Sequence, residues 1–395
     1  MLDATLTERT KGLLTASGRS EVPPFMVMDV MAAAARIEVA GGHVIHMEVG
    51  QPAAPAPKTA ILAAHAALDG ARIDYTSALG IPSLRERISR HYRESYGFAV
   101  DAERIIVTTG SSGAFILGFL AMFEPGDRVA VTVPGYPPYR HILTALGCEP
   151  VLIETSSETR HALTGDALLA AHRKAPLKGV LVGSPANPTG TMMSREALTS
   201  LIWAAESAGI RFISDEIYHG LDYAFPAVTA AELSPHALVI NSFSKYFCMT
   251  GWRVGWMVAP EPLVRPIERL QQNLAISVPT LSQIAAEAAF EGRQEMEEVK
   301  RGYLENRRIL IEGLPRAGLT KFLPADGAFY LYADVSDFTS DSFKFAGEML
   351  EHAHVAATPG VDFDPVHGHR FIRFSYARSA DEMREAVARI TQWLG

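Results

Sequence analysis

Ser242-Phe-Ser-Lys245-Tyr-Phe-Cys-Met-Thr-Gly-Trp-Arg253 follows an apolar run, residues 237–240, that reads as a buried strand. One lysine stands among small polar residues and glycine, and an arginine follows eight positions later. Hydroxyls and a planar, permanently charged guanidinium hold phosphate well. A lysine beside such a site can form a Schiff base with a phosphorylated aldehyde. An isolated lysine is more often a solvated surface residue. This one lies among Phe243, Tyr246, Phe247, Trp252 and Trp256, surroundings that lower an amine's pKa and make it nucleophilic.

Outward from this stretch, strands and helices alternate. Apolar, β-branched runs at 104–109, 128–133, 151–154, 178–183, 210–214, 238–242 and 253–258 predict seven strands. Helical patterns fall between most of them, one opening at 110–113 and others at 136–146, 165–172 and 194–207. This predicts an α/β fold, a mostly parallel sheet covered by helices, with ligands at the carboxyl ends of its strands. Earlier segments read as helices at 27–40, 58–68 and 83–96, with a short strand before Gly50-Gln-Pro52. After Pro262 come long helices at 262–274, 280–290 and 294–314. A strand at 328–335, a helix at 342–352, a strand at 371–376 and a helix at 380–394 complete the chain. The predicted division is a large domain, 46–295, and a smaller α+β domain made of 1–45 with 296–395.

The chain has 395 residues, 48% hydrophobic and 20% charged, which is globular composition. Its net charge of −8 and lack of basic runs disfavour a nucleic-acid partner. Two cysteines, Cys148 and Cys248, make neither a disulfide framework nor a metal spacing; no metal is expected, and a reducing cytoplasm is. The first ten residues lack the apolar centre of a signal peptide, and the longest apolar stretch, 113–123, is too short to span a bilayer. No membrane partner is expected.

Several strand ends carry polar residues. Gly110-Ser111-Ser112-Gly113 hands a strand to a helix, where free N–H groups favour an anion. Pro134-Gly-Tyr136 follows the next strand and offers an aromatic face. Asn187 precedes Pro188, which disfavours a helical backbone and frees its amide for a ligand. Asp215 ends a buried strand and needs a cationic partner, such as a protonated pyridine nitrogen. Tyr218, three residues on, can donate to a phenolic oxygen. Arg373 sits in an apolar strand and needs an anion, for which a substrate carboxylate is suited. Singly, each has a plainer reading: an N-cap, a packing aromatic, an Asx turn, an internal salt bridge. Together they fit pyridoxal 5′-phosphate with its lysine and ring-nitrogen partner.

The combination resembles the aspartate-aminotransferase type of pyridoxal-phosphate enzyme, class I/II on the fold type I scaffold. The motifs that carry the resemblance are Gly50-Gln-Pro52, Tyr75-Thr-Ser-Ala-Leu-Gly80, Gly110-Ser-Ser, Tyr136-Pro, Asn187-Pro-Thr-Gly190, Asp215-Glu-Ile-Tyr218, Ser242-Phe-Ser-Lys245, Gly251-Trp-Arg253 and Arg373. The resemblance implies transfer of an amino group from an L-amino acid to a 2-oxo acid by a ping-pong mechanism. Lys245 would be the Schiff-base lysine and general base, and Asp215 the partner of the pyridine nitrogen. Asn187 and Tyr218 would bind the phenolic oxygen, and Tyr136 would stack on the ring. Ser111, Ser112, Ser242, Ser244 and Arg253 would hold the phosphate. Arg373 would grip the substrate carboxylate with Gly50 and Asn187 nearby. Tyr75 would reach the neighbouring subunit's site, which implies a homodimer. A carbon–sulfur β-lyase on the same scaffold is the alternative, and a cofactor-sensing regulator a more distant one. Two departures stand out: Phe363-Asp364 where the family often has Phe-Gly, and Ala53-Ala54 where bulkier residues are common.

Overall fold

The computed structural model describes residues 15–70 and 72–395. The first fourteen residues, which open the predicted smaller domain and hold the stretch read for a signal peptide, lie outside them. The elements run α1 (Met26–Val39), β1 (Ile45–His46), α2 (Lys58–Gly70), α3 (Pro82–Tyr96), β2 (Ile105–Thr108), α4 (Gly110–Met122), β3 (Arg128–Val133), α5 (Pro137–Ala145) and β4 (Glu149–Glu154). There follow α6 (Gly165–Lys174), β5 (Gly179–Gly183), α7 (Arg195–Ser207), β6 (Arg211–Asp215), α8 (Ala230–Leu233), β7 (Leu238–Ser242), β8 (Gly255–Val258), α9 (Glu261–Leu274), α10 (Thr280–Ala289) and α11 (Arg293–Gly313). The last are β9 (Lys321–Phe322), β10 (Tyr330–Asp334), α12 (Ser342–Glu348), β11 (Val355–Ala356), β12 (Thr358–Pro359), β13 (Phe371–Ser375) and α13 (Ala380–Leu394).

Seven strands form one sheet in the order β2-β8-β7-β6-β5-β3-β4. All neighbours are parallel except β8, which runs against both β2 and β7. Strands β2 and β7 are buried at every position, which is why they read as unbroken apolar runs rather than alternating ones. Helix α4 is apolar nearly all round: one side, with Phe115 and Phe119, packs into the core on the sheet, while Ile116 and Leu120 on the other are exposed. A four-stranded antiparallel sheet, β12-β13-β10-β9, and the parallel pair β1-β11 lie over a second core that includes Ile45, Phe329, Phe374 and Ile390. Helix α13 starts with a capping box, Ser379 with Glu382.

The differences from the sequence reading are local. Strands β9, β11 and β12 have two residues each, too few for alternation to register. The helix read to residue 352 stops as an α-helix at Glu348 and widens into a π turn over Met349–Ala353. Arg253 does not begin a strand; it holds a left-handed backbone, φ 51°, and β8 starts at Gly255. No helix among the described residues is long and apolar enough to cross a membrane.

Phe212, 1% exposed in β6, anchors the core beneath the sheet. Phe212→Ala should cost about 3–5 kcal/mol, read as a lower urea midpoint, because the cavity it leaves cannot fully collapse.

Candidate active site

Parallel register brings Val133, Gly183, Asp215 and Ser242 to the same edge of the large sheet as the ends of β3, β5, β6 and β7, with Gly183 opposite Asp215. A cavity of about 180 Å³ opens at that edge. Of the residues predicted from sequence, Gly50, Ser111, Ser112, Tyr136, Asn187, Asp215, Tyr218, Ser244, Lys245, Arg253 and Arg373 all line it. Two do not. Ser242 stands one layer behind, its hydroxyl 2.9 Å from that of Ser244 and accepting from the Ser244 N–H at 3.1 Å. Tyr75 is 80% exposed and does not line its own chain's cavity.

Asp215 is 4% exposed. Its Oδ1 accepts from the Ile217 N–H at 3.1 Å, and its Oδ2 accepts a short hydrogen bond from the Tyr139 hydroxyl. Burial raises its pKa to about 6, against the two hydrogen bonds and the nearby Lys245, which favour the charged form. Lys245 Nζ donates to the Gly50 carbonyl at 2.6 Å. Burial, then the charges of Arg373 and Arg253, lower its pKa to about 8, while Asp215 pulls the other way. A carboxylate and an amine are thus both moved toward neutral pH in one cavity, the condition for proton transfer there.

The anion end is built on the start of α4. Thr109, its N-cap, makes no side-chain cap bond, the first-turn N–H groups have no intrahelical partner, and Ser111 and Ser112 line the cavity. Gly110 has φ +67°, and a Cβ there would lie 2.5 Å from Arg253 Nη2. Glycine is therefore required twice, for the backbone angle and for the guanidinium. The left-handed turn at Arg253 is what lays its side chain against the helix start, with Nη1 on the Thr250 carbonyl at 2.9 Å.

The other end holds Arg373, 1% exposed. Its Nη1 donates to Asn187 Oδ1 at 2.9 Å, and its Nη2 to the Glu48 carbonyl and, at 3.2 Å, to Thr358 Oγ1. Its guanidinium lies 4.5 Å from the ring centre of Tyr330 and 4.6 Å from that of Phe363. Every one of these partners is neutral, and Nε has none. Among the described residues the internal salt bridge considered from sequence is not made. A buried cation without a carboxylate is a receptor for one. The Phe363-Asp364 departure is explained here: Phe363 covers Arg373, while Asp364 accepts from the N–H groups of Val366 and His367 and fixes the turn.

Sequence reasoning missed Tyr139 and Tyr330. Tyr139 stands three residues after Tyr136 in the same Pro-rich motif, one helical turn on, which was the available signal. Tyr330 bonds the Tyr218 hydroxyl at 2.8 Å and fills the space a Cβ at Gly50 would take, only 1.7 Å from its hydroxyl. It also missed the apolar wall of Phe25, Val27, Met28 and Val49, because one helical face says nothing about which cavity it borders. The donor set fits pyridoxal phosphate: a buried carboxylate for the ring nitrogen, a lysine of lowered pKa, and an anion cradle that a Cβ at position 110 would fill.

Uptake of pyridoxal phosphate by the apoprotein should speed up as pH rises through about 8, since only the neutral Lys245 amine is nucleophilic. Tyr139→Phe removes the donor on Asp215, so the carboxyl titrates higher still. Equilibrium titration should find cofactor affinity about tenfold weaker, with the deficit larger near pH ~6 than near ~8, where Asp215 is ionised regardless.

The family described as Aminotransferase class I and II matches residues 42–390. A valine–pyruvate aminotransferase of Mycobacterium tuberculosis is 47% identical over 380 residues, 95% of this chain and 97% of that protein. An aminotransferase crystal structure from the same organism superposes with a TM-score of 0.94 at 46% identity, covering 96% of this chain and 99% of that one. The aspartate aminotransferase of Thermus thermophilus with maleate gives 0.90 at 31% identity, with 96% and 99% covered. The chain therefore belongs to the class I and II aminotransferase family, whose enzymes use pyridoxal 5′-phosphate.

Proposed function

We propose that this aminotransferase takes its amino group from a small or branched apolar L-amino acid, with L-valine and pyruvate as the first pair to test. The carrying observation is the cavity lining: Phe25, Val27, Met28 and Val49 are apolar, and among the described residues its cations are Lys245, Arg253 and Arg373. Among the described residues of this chain, Arg253 is the other guanidinium in the lining, and it lies at the start of α4 beside Gly110. The valine–pyruvate activity named for the 47% identical relative supports the same reading.

Bound pyridoxal phosphate supplies an aldehyde for the amino group and a cationic ring that accepts the electrons of a breaking Cα–H bond. The residues of this chain do the rest. Ser111, Ser112, Ser244 and Arg253 hold the phosphate, and Ser242 orients Ser244. Asp215 keeps a negative charge at the ring nitrogen. Asn187 and Tyr218 donate to the phenolic oxygen, and Tyr136 stacks on the ring. Arg373 binds the α-carboxylate and fixes which bond faces Lys245. Lys245 Nζ, basic near neutrality, would accept and return the proton moved in the exchange. A second 2-oxo acid reverses the sequence, giving ping-pong kinetics.

A second copy of the chain completes the assembly. Ile73, Tyr75, Leu274 and Ile276 are exposed apolar side chains, and the loop bearing Tyr75 is tied to α10 by Thr280 Oγ1 on the Asp74 carbonyl and Gln283 Nε2 on Thr76 Oγ1. Tyr75 reaches the partner's phosphate from this face. Residues 46–295 work as the cofactor-binding unit, and 1–45 with 296–395 as the unit carrying Arg373. Two free, buried cysteines suit a reducing cytoplasm.

Mixed with single amino acids, the enzyme should convert its cofactor absorbance with L-valine and L-alanine at least about tenfold more efficiently than with L-aspartate. Aspartate ahead of valine would sink the apolar assignment. Lys245→Ala should give no multiple turnover with any donor. Sedimentation should find twice the chain mass, and Tyr75→Phe should weaken cofactor retention without dissociating the dimer.

A further inference from the structure

Helix α1 starts without a cap of its own: Phe25, at its N-cap position, makes no side-chain hydrogen bond. The acceptor comes from the far end of the chain. Asp362 Oδ1 accepts from the Met26 N–H at 3.5 Å. Asp362 is 2% exposed, and its Oδ2 has no partner. A buried carboxylate with an unused oxygen costs free energy unless charge compensates it. The compensation here is the positive end of α1, the nearby charge of Arg373 and then that of Arg140, whose Nη2 also donates to the Asp362 backbone carbonyl at 2.5 Å.

The same turn touches the substrate end of the cavity. Phe363 lies under Arg373, and its carbonyl accepts from the Gly135 N–H at 3.1 Å, next to Tyr136. The segment that Asp362 holds, residues 25–28, supplies Phe25, Val27 and Met28 to the wall, and the Phe25 ring meets Tyr136 edge-on at 6.1 Å. One short loop therefore contacts both the carboxylate-binding arginine and the apolar wall.

We propose that Asp362 is a positioning residue for side-chain selection: its carboxylate staples the first turn of α1 so that Phe25, Val27 and Met28 close on the substrate side chain. This rests on the apolar-donor reading above. A 3.5 Å contact leaves room to shorten, so an apolar side chain packed on the wall would be expected to draw the helix start toward the carboxylate. The staple acts on the side chain and not on the reacting bond, so it affects donors in proportion to their bulk.

The test is single-turnover conversion of the cofactor by L-valine and by L-alanine in the holoenzyme, with amide exchange at residues 26–28 measured beside it. Asp362→Ala should raise the valine concentration for half-maximal rate about tenfold and the alanine value less than about twofold, leaving both limiting rates near wild type. Exchange at 26–28 should rise about tenfold as the first turn loosens. Asp362→Asn, which keeps an acceptor oxygen and the side-chain volume, should fall between and guards against a variant that does not fold. Unchanged exchange in both variants overturns the staple whatever the substrates, and so does an equal loss for both donors. Faster exchange in an enzyme that ignores valine even as wild type would defeat the apolar-donor reading and leave the staple standing.

Discussion

Asp215 closes strand β6 with its carboxylate 4% exposed and no cation bonded to it. A charge in that position is expensive, and the site is organised around answering it. The Tyr139 hydroxyl and the Ile217 N–H stabilise the anion, Lys245 adds a nearby positive charge, and burial pulls the pKa up to about 6. In the proposed reading, a protonated pyridine nitrogen would complete what these groups leave partial. The large sheet makes the arrangement possible because parallel strands deliver their carboxyl ends to one edge.

The second organising charge is Arg373. It is brought by another sheet, on β13, and held by carbonyl, amide and hydroxyl groups and by two aromatic rings rather than by a carboxylate. Neutral partners fix the guanidinium's direction without cancelling its charge, which leaves it free for a substrate carboxylate. The link through Asn187 joins the two sheets: its Oδ1 is held by Arg373, so its amide N–H groups are left for the cavity. Glu48 illustrates the backbone's part, since its carbonyl accepts from Arg373 and from Thr358 while its side chain turns to His46. That pairing raises His46 to a pKa of about 8, chiefly through its hydrogen bond to Glu48.

Much of this was legible beforehand for identifiable reasons. The strands at 128–133 and 238–242 appear where expected, because full burial demands apolar residues and leaves no ambiguity of face. Gly110-Ser-Ser, Asn187, Asp215 and Lys245 could be assigned because each stands where a strand gives way to a turn. The two-residue strands could not be read, nor could the π turn after Glu348, since a few residues carry no periodicity. Tyr139 was hidden for another reason: an aromatic beside prolines reads as packing until its hydroxyl is seen on Asp215.

By itself the sequence determined the sheet, the order of the chemical groups along the chain and the family they belong to. Those depend on local patterns: burial of strands, residues forced at turns, a lysine among hydroxyls. Only the tertiary structure decided which groups meet. It set Arg373 against Asn187, 186 positions apart in sequence, and Asp362 against Met26, 336 apart. It also brought Phe25, Val27 and Met28 into the lining of the cavity that holds Lys245. Such contacts arise from how two separately cored layers pack, and no short stretch of chain encodes that.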